Sequence, residues 1–173
     1  MNKVLKFSTL IVALFVFNAC ATYKPQYKGD ANSQGFPKEK EIEHSFYLIG
    51  DGGNSPIGTK TKALKEFKLK LEKAAKNSTA LFLGDNIYPS GMPSNKHEQR
   101  DFAEHQLNVQ TEAVKNFLGN TIFIPGNHDW YSDGLKGLKR QETYIEDKLG
   151  KNTFLPENGC PIKKIDVSDN VVL

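Results

Sequence analysis

Residues 79–88, Thr79-Ala80-Leu81-Phe82-Leu83-Gly84-Asp85-Asn86-Ile87-Tyr88, decide the fold, because a short apolar run passes directly into a Gly-Asp turn. The arrangement occurs twice more. Ser45-Phe46-Tyr47-Leu48-Ile49 runs into Gly50-Asp51-Gly52-Gly53, and Thr121-Ile122-Phe123-Ile124 breaks at Pro125 ahead of Gly126-Asn127-His128-Asp129. Between the first two runs, Leu64, Phe67, Leu71, Ala74 and Ala75 recur at three- and four-residue steps and predict an amphipathic helix over 61–76. Between the second and third, Phe102, Leu107, Gln110, Val114 and Phe117 line up a helix over 96–118, stopped by Gly119-Asn120. This strand–helix alternation predicts an α/β fold with a parallel sheet and helices packed on it. Further on, a shorter helix is expected at 138–149, capped by Gly150. Ile162–Val167 and Asn170–Leu173 are expected to form a hairpin around Ser168-Asp169.

The chain of 173 residues is long enough for one domain at most. Its start is not part of that domain. Lys3 and Lys6 precede an apolar stretch, Leu10 to Phe17, and a small-residue region, Asn18-Ala19-Cys20, so residues 1–19 read as an export signal. Residues 20–44 keep no period and read as a flexible tether, leaving 45–173 as the folded part. Removing residues 1–19 takes two of the 23 basic residues and no acid, leaving 21 bases against 20 acids. That balance, with the lysines of 60–76 spread on one helical pattern, gives no reason to expect a nucleic-acid partner.

In an open parallel sheet, ligands gather beyond the carboxyl ends of the strands. Asp51, Asp85 and Asn127 each come one to three residues after a predicted strand, so adjacent strands would deliver their side-chain oxygens to one rim. Any one of these turns is ordinary loop chemistry. The ordered triple, with Tyr88 three residues after Asp85, points instead to a metal site.

On these motifs the chain resembles the calcineurin-like metallophosphoesterase superfamily, and more closely the N-terminal portion of its purple-acid-phosphatase-like branch. The superfamily often has Asp-x-His as its first motif; here the histidine position is Gly53. The branch that lacks that histidine carries Gly-Asp-x-x-Tyr, matched by Gly84, Asp85 and Tyr88. The resemblance implies a layered sandwich of central β-sheets flanked by helices, holding two metal ions. By that resemblance Asp51 and Tyr88 would bind the first ion, Asp85 would bridge both, Asn127 would bind the second, and catalytic His128 would sit beside the phosphate. Carboxylate and phenolate oxygens suit a hard ion such as iron(III), and the neutral amide of Asn127 suits a divalent neighbour such as zinc, iron(II) or manganese.

The implied reaction is hydrolysis of phosphate monoesters by a metal-activated water. The same motifs also accommodate a phosphodiesterase or nucleotide hydrolase, or a non-catalytic surface lipoprotein that keeps the fold. Two later motifs of the family, a Val-x-x-His segment and a Gly-His-x-His segment, do not occur in the sequence. With the apolar Val171-Val172-Leu173 ending, this reads as a domain truncated at its C-terminus, and the 173-residue chain alone is expected to be inactive.

Cleavage before Cys20 resembles bacterial lipoprotein processing, which would lipidate Cys20 and anchor the protein to a membrane of the cell envelope, the outer membrane being the expected one. The other reading is an ordinary secretory signal with an incidental cysteine and a periplasmic or secreted product. With Cys20 acylated, Cys160 would be left for a partner outside this sequence. His44, His97 and His105 read as surface or packing histidines. Trp130 and Tyr131 fit either an aromatic wall over a substrate or core packing.

Overall fold

A computed structural model describes residues 41–159 and 162–173. The export signal, most of the tether, Cys20 and Cys160 lie outside the described residues. The three apolar runs form strands β1 (Ser45–Ile49), β2 (Ser78–Phe82) and β3 (Asn120–Phe123), paired in parallel in that order. Register runs from Ser45 opposite Ser78 to Ile49 opposite Phe82, and from Thr79 opposite Asn120 to Phe82 opposite Phe123. Residues 153–155 extend the far edge: Thr153 accepts from the Phe123 N–H at 2.7 Å, and Leu155 donates to the Phe123 carbonyl at 2.8 Å.

Three helices follow the periodicities: α1 (Lys62–Leu71), α2 (Arg100–Val114) and α3 (Leu135–Leu149). The Thr61 side chain caps α1 by accepting from the Leu64 N–H, which takes one of the N–H groups without an intrahelical partner. Sequential parallel strands with right-handed crossovers place successive helices on the same face. The core accordingly lies on that face. Leu64, Phe67 and Leu71 of α1, Leu107 and Val114 of α2, and Leu138 and Ile145 of α3 pack against Ala80, Phe82 and Phe123 of the sheet. Phe82 stacks on Phe123 at 3.9 Å, and Phe67 meets Phe82 edge-on at 5.5 Å.

The opposite face holds a small apolar group, Leu81, Ile122 and Leu155, with Ile124 and Ile165 against it, and leaves Phe46, Leu48 and Leu83 exposed. One sheet and one helical layer are therefore present among the described residues.

Strands β2 and β3 each lie one residue early, α1 ends at Leu71 rather than 76 because residues 72–73 turn out of the helix, and three further elements differ from the sequence expectation. Helix α2 is shorter than 96–118, because residues 95–99 form turns and the chain turns out of the helix after Val114. Helix α3 starts at Leu135 rather than 138, directly after Gly134, whose φ of 54° lets the chain enter the helix from a left-handed residue. The expected hairpin shrinks to a single antiparallel bridge, Asp166 to Val172, with paired hydrogen bonds between Ile165 and Leu173. Its turn falls at Ser168-Asp169 as expected. Residues 162–164 do not join it: Ile162 is fully exposed, and Lys163 reaches instead to Asn152 at 2.9 Å and Glu157 at 3.7 Å.

Candidate metal centre

The parallel ladder continues past the strands into the loops. The Leu83 N–H donates to Ile49, the Asp51 N–H to Gly84 at 3.1 Å, and the Gly53 N–H to the Asp85 carbonyl at 3.0 Å. Two loops locked in register must leave their strands together, and both do so through an aspartate in the left-handed region, Asp51 at φ 52° and Asp85 at φ 53°. Aspartate tolerates that conformation better than most residues, and the shared backbone shape turns both carboxylates to the same rim.

Tyr88 joins them. Its hydroxyl donates to Asp51 Oδ1 and lies 2.9 Å from Asp85 Oδ2. Held first by the Asp51 carboxylate, then by burial and Asp85, the phenol is pushed well above its usual pKa. The third loop closes from the other side. The His128 N–H donates to Asp85 Oδ1 at 3.1 Å, and Gly126 lies so close that a Cβ there would collide with the Asp85 carboxylate.

His128 is held on three sides. Its Nδ1 lies 2.6 Å from the Pro89 carbonyl, which can only accept, so Nδ1 carries the hydrogen and Nε2 is the free ring position. The ring lies 4.4 Å from the Tyr88 ring and 5.0 Å from that of Tyr131. The Asn127 amide donates from Nδ2 to the Tyr131 hydroxyl at 2.8 Å, leaving Oδ1 free. Asp51, Asp85, Tyr88, Asn127 and His128 thus come to one rim. The remaining histidines are elsewhere: His44 bonds Thr79 at 3.0 Å, His105 bonds the Pro56 carbonyl at 2.8 Å, and His97 accepts from the Gln99 N–H.

Three polar residues to which the sequence reading assigned no role at the rim hold it in place. Asp129 is fully buried and accepts from the backbone of Gly126 at 2.8 Å, Ile87 at 3.1 Å and Asn86 at 3.2 Å, tying the second loop to the third. Burial pushes its carboxyl above the usual range, while those same N–H groups pull against the shift. Gln106 of α2 accepts at Oε1 from Asn54 at 2.6 Å and Tyr88 at 2.9 Å and donates to the Tyr88 carbonyl at 2.7 Å, tying the first loop to the second. Gln110, one turn on, donates to the Asn86 carbonyl at 2.7 Å. The available signal was a pair of glutamines at i and i+4 on the apolar face of a helix, where each must find a partner.

Among the described residues, no group of three or more His, Cys, Asp or Glu side chains is close enough together to hold a metal ion. The rim instead offers two carboxylates, a phenol between them and a neighbouring amide oxygen. All of these are hard oxygen donors, and the phenol proton occupies a place between two anionic groups that a cation could take. On donor chemistry the residues fit a hard cation.

This rim of glycine turns stands at the carboxyl ends of a parallel α/β sheet, where ligands of such folds gather. The family model for calcineurin-like phosphoesterases matches residues 44–169, and the chain belongs to that family. No curated protein and no solved structure matches it significantly. Membership implies a hydrolase acting on phosphoesters with metal ions, which the family typically binds in pairs.

Proposed function

We propose that the protein is a dinuclear phosphomonoesterase of the purple-acid-phosphatase type, with Asp51 and Tyr88 on an iron(III), Asp85 between the two ions and Asn127 on a divalent zinc, iron or manganese. The observation that supports this reading best is the Tyr88 hydroxyl within hydrogen-bonding reach of both Asp51 and Asp85. A phenol held between two carboxylates is poorly disposed to ionise alone, and a trivalent cation reverses that preference. When bound, the ions supply Lewis-acid chemistry, including a lowering of the pKa of water from 15.7 toward about 7.

The chain's own residues supply the rest. Asp85 is anchored by the His128 N–H, which fixes the carboxylate that would hold both ions. His128, its Nδ1 engaged by Pro89, presents Nε2 to hold a proton for the departing alkoxide. The substrate is a phosphate ester; a phosphodiester or nucleotide would meet the same residues.

Anchoring through lipidated Cys20 in the bacterial envelope belongs to the same proposal, and mass spectrometry of the mature N-terminus tests it. For the site, the test is colour. Iron(III) added to the purified protein is expected to give a visible phenolate band that disappears in Tyr88→Phe, and phosphomonoesterase activity of the full-length protein is expected to fall at least a hundredfold in Asp85→Asn. An active, colourless, iron-free enzyme would overturn the iron assignment. Full activity in Asp85→Asn would overturn the site.

A further inference from the structure

We propose that Tyr131 is the positioning residue of this centre, one side chain that orients both the amide of Asn127 and the imidazole of His128. The inference rests on the reading of Asn127 as a ligand of the divalent ion. Residues 128–130 form a short 3-10 turn in which the Trp130 N–H donates to the Asn127 carbonyl and the Tyr131 N–H to the His128 carbonyl, each at 3.2 Å. That winding carries residue 131 back over residues 127 and 128. The hydroxyl then meets Asn127 Nδ2 at 2.8 Å, and the ring lies 5.0 Å from that of His128, tilted by 59°.

The two ends of an asparagine amide are unlike. The oxygen can coordinate a cation and the NH2 cannot; with the NH2 donating to the Tyr131 hydroxyl Oδ1 is free for a cation, whereas the flipped amide would engage Oδ1 with that hydroxyl's own hydrogen. Core packing does not account for where Tyr131 sits. Its neighbour Trp130 packs against the core, whereas Tyr131 is 61% exposed, and its side-chain hydrogen bond and ring contact are both made to residues of the rim.

The test separates the two cations. The purified protein is loaded with iron(III) and titrated with zinc against a chromophoric chelator, as wild type, Tyr131→Phe and Tyr131→Leu. Tyr131→Phe is expected to weaken zinc binding about tenfold, within the range seen for partners of metal ligands. The iron–phenolate band and the thermal midpoint are expected to stay where they are in the wild type. Tyr131→Leu, which also removes the ring from His128, is expected to lower kcat about tenfold more at saturating zinc in the full-length protein, with KM unchanged. Zinc affinity in Tyr131→Phe within twofold of wild type overturns the inference, as does parallel loss of both cations, which marks a general structural role. A wild-type protein that takes up iron(III) but no second cation overturns the two-metal reading, and this inference with it.

Discussion

Asp129 follows directly on the residues that do the expected chemistry, yet it is turned inward and none of its side chain reaches solvent. Both carboxylate oxygens accept from backbone N–H groups of two different loops, so truncation strands several buried donors, at about 1–3 kcal/mol each. Asp129→Ala is therefore expected to lose at least about 3 kcal/mol in urea unfolding. Asp129→Asn should lose less: burial raises the folded-state pKa, so removing the charge relieves a cost that the ionised form carries at neutral pH, while the acceptor for one loop is lost. Equal losses in the two variants would sink this account. Gly126 is a second tightly constrained position. Its φ is not the reason; a Cβ would strike the Asp85 carboxylate and backbone nitrogen, so Gly126→Ala is expected to displace Asp85 and abolish the iron–phenolate band.

At the scale of elements, α2 does two jobs with one face. Leu107 and Val114 enter the core, while Gln106 and Gln110, equally buried, reach past it to the loops after β1 and β2. Gln106→Leu keeps the volume and helix propensity but strands the N–H groups of Asn54 and Tyr88, a predicted loss of about 2–4 kcal/mol by the usual cost of an unmet donor. Hydrogen exchange should show those two amides losing protection while β2 keeps its own. The periodicity that announced α2 was legible from its apolar residues. What its glutamines bond to was not, because the partners lie 18 and 52 residues away in sequence. The C-terminal pairing shows the opposite limit. Its turn was legible at Ser168-Asp169, but strand length depends on neighbours, and Lys163 is held by Asn152 and Glu157 instead.

At the scale of the whole molecule, the described residues cover one face of the sheet and leave the other largely bare. Phe82→Ala on the covered face should cost about 3–5 kcal/mol, since the ring is fully buried between Phe67 and Phe123. Leu48→Thr on the bare face, where Leu48 is 57% exposed, should change stability by less than about 0.5 kcal/mol. A large loss at Leu48, measured by denaturant unfolding, would mean that this face is covered in solution. No helix among the described residues is long and apolar enough to cross a membrane.

The sequence by itself determined the order of elements, the parallel α/β class and the identity of the rim residues, because each of these is written in local periods and in turns that only a few residue types can make. It could not show that Tyr88 lies between Asp51 and Asp85, that Pro89 fixes the hydrogen on His128, or that Asp129 and Gln106 lock three loops into one surface. Those are contacts between residues distant along the chain, and only the register of parallel strands, carried on into their loops, brings the partners within hydrogen-bonding distance.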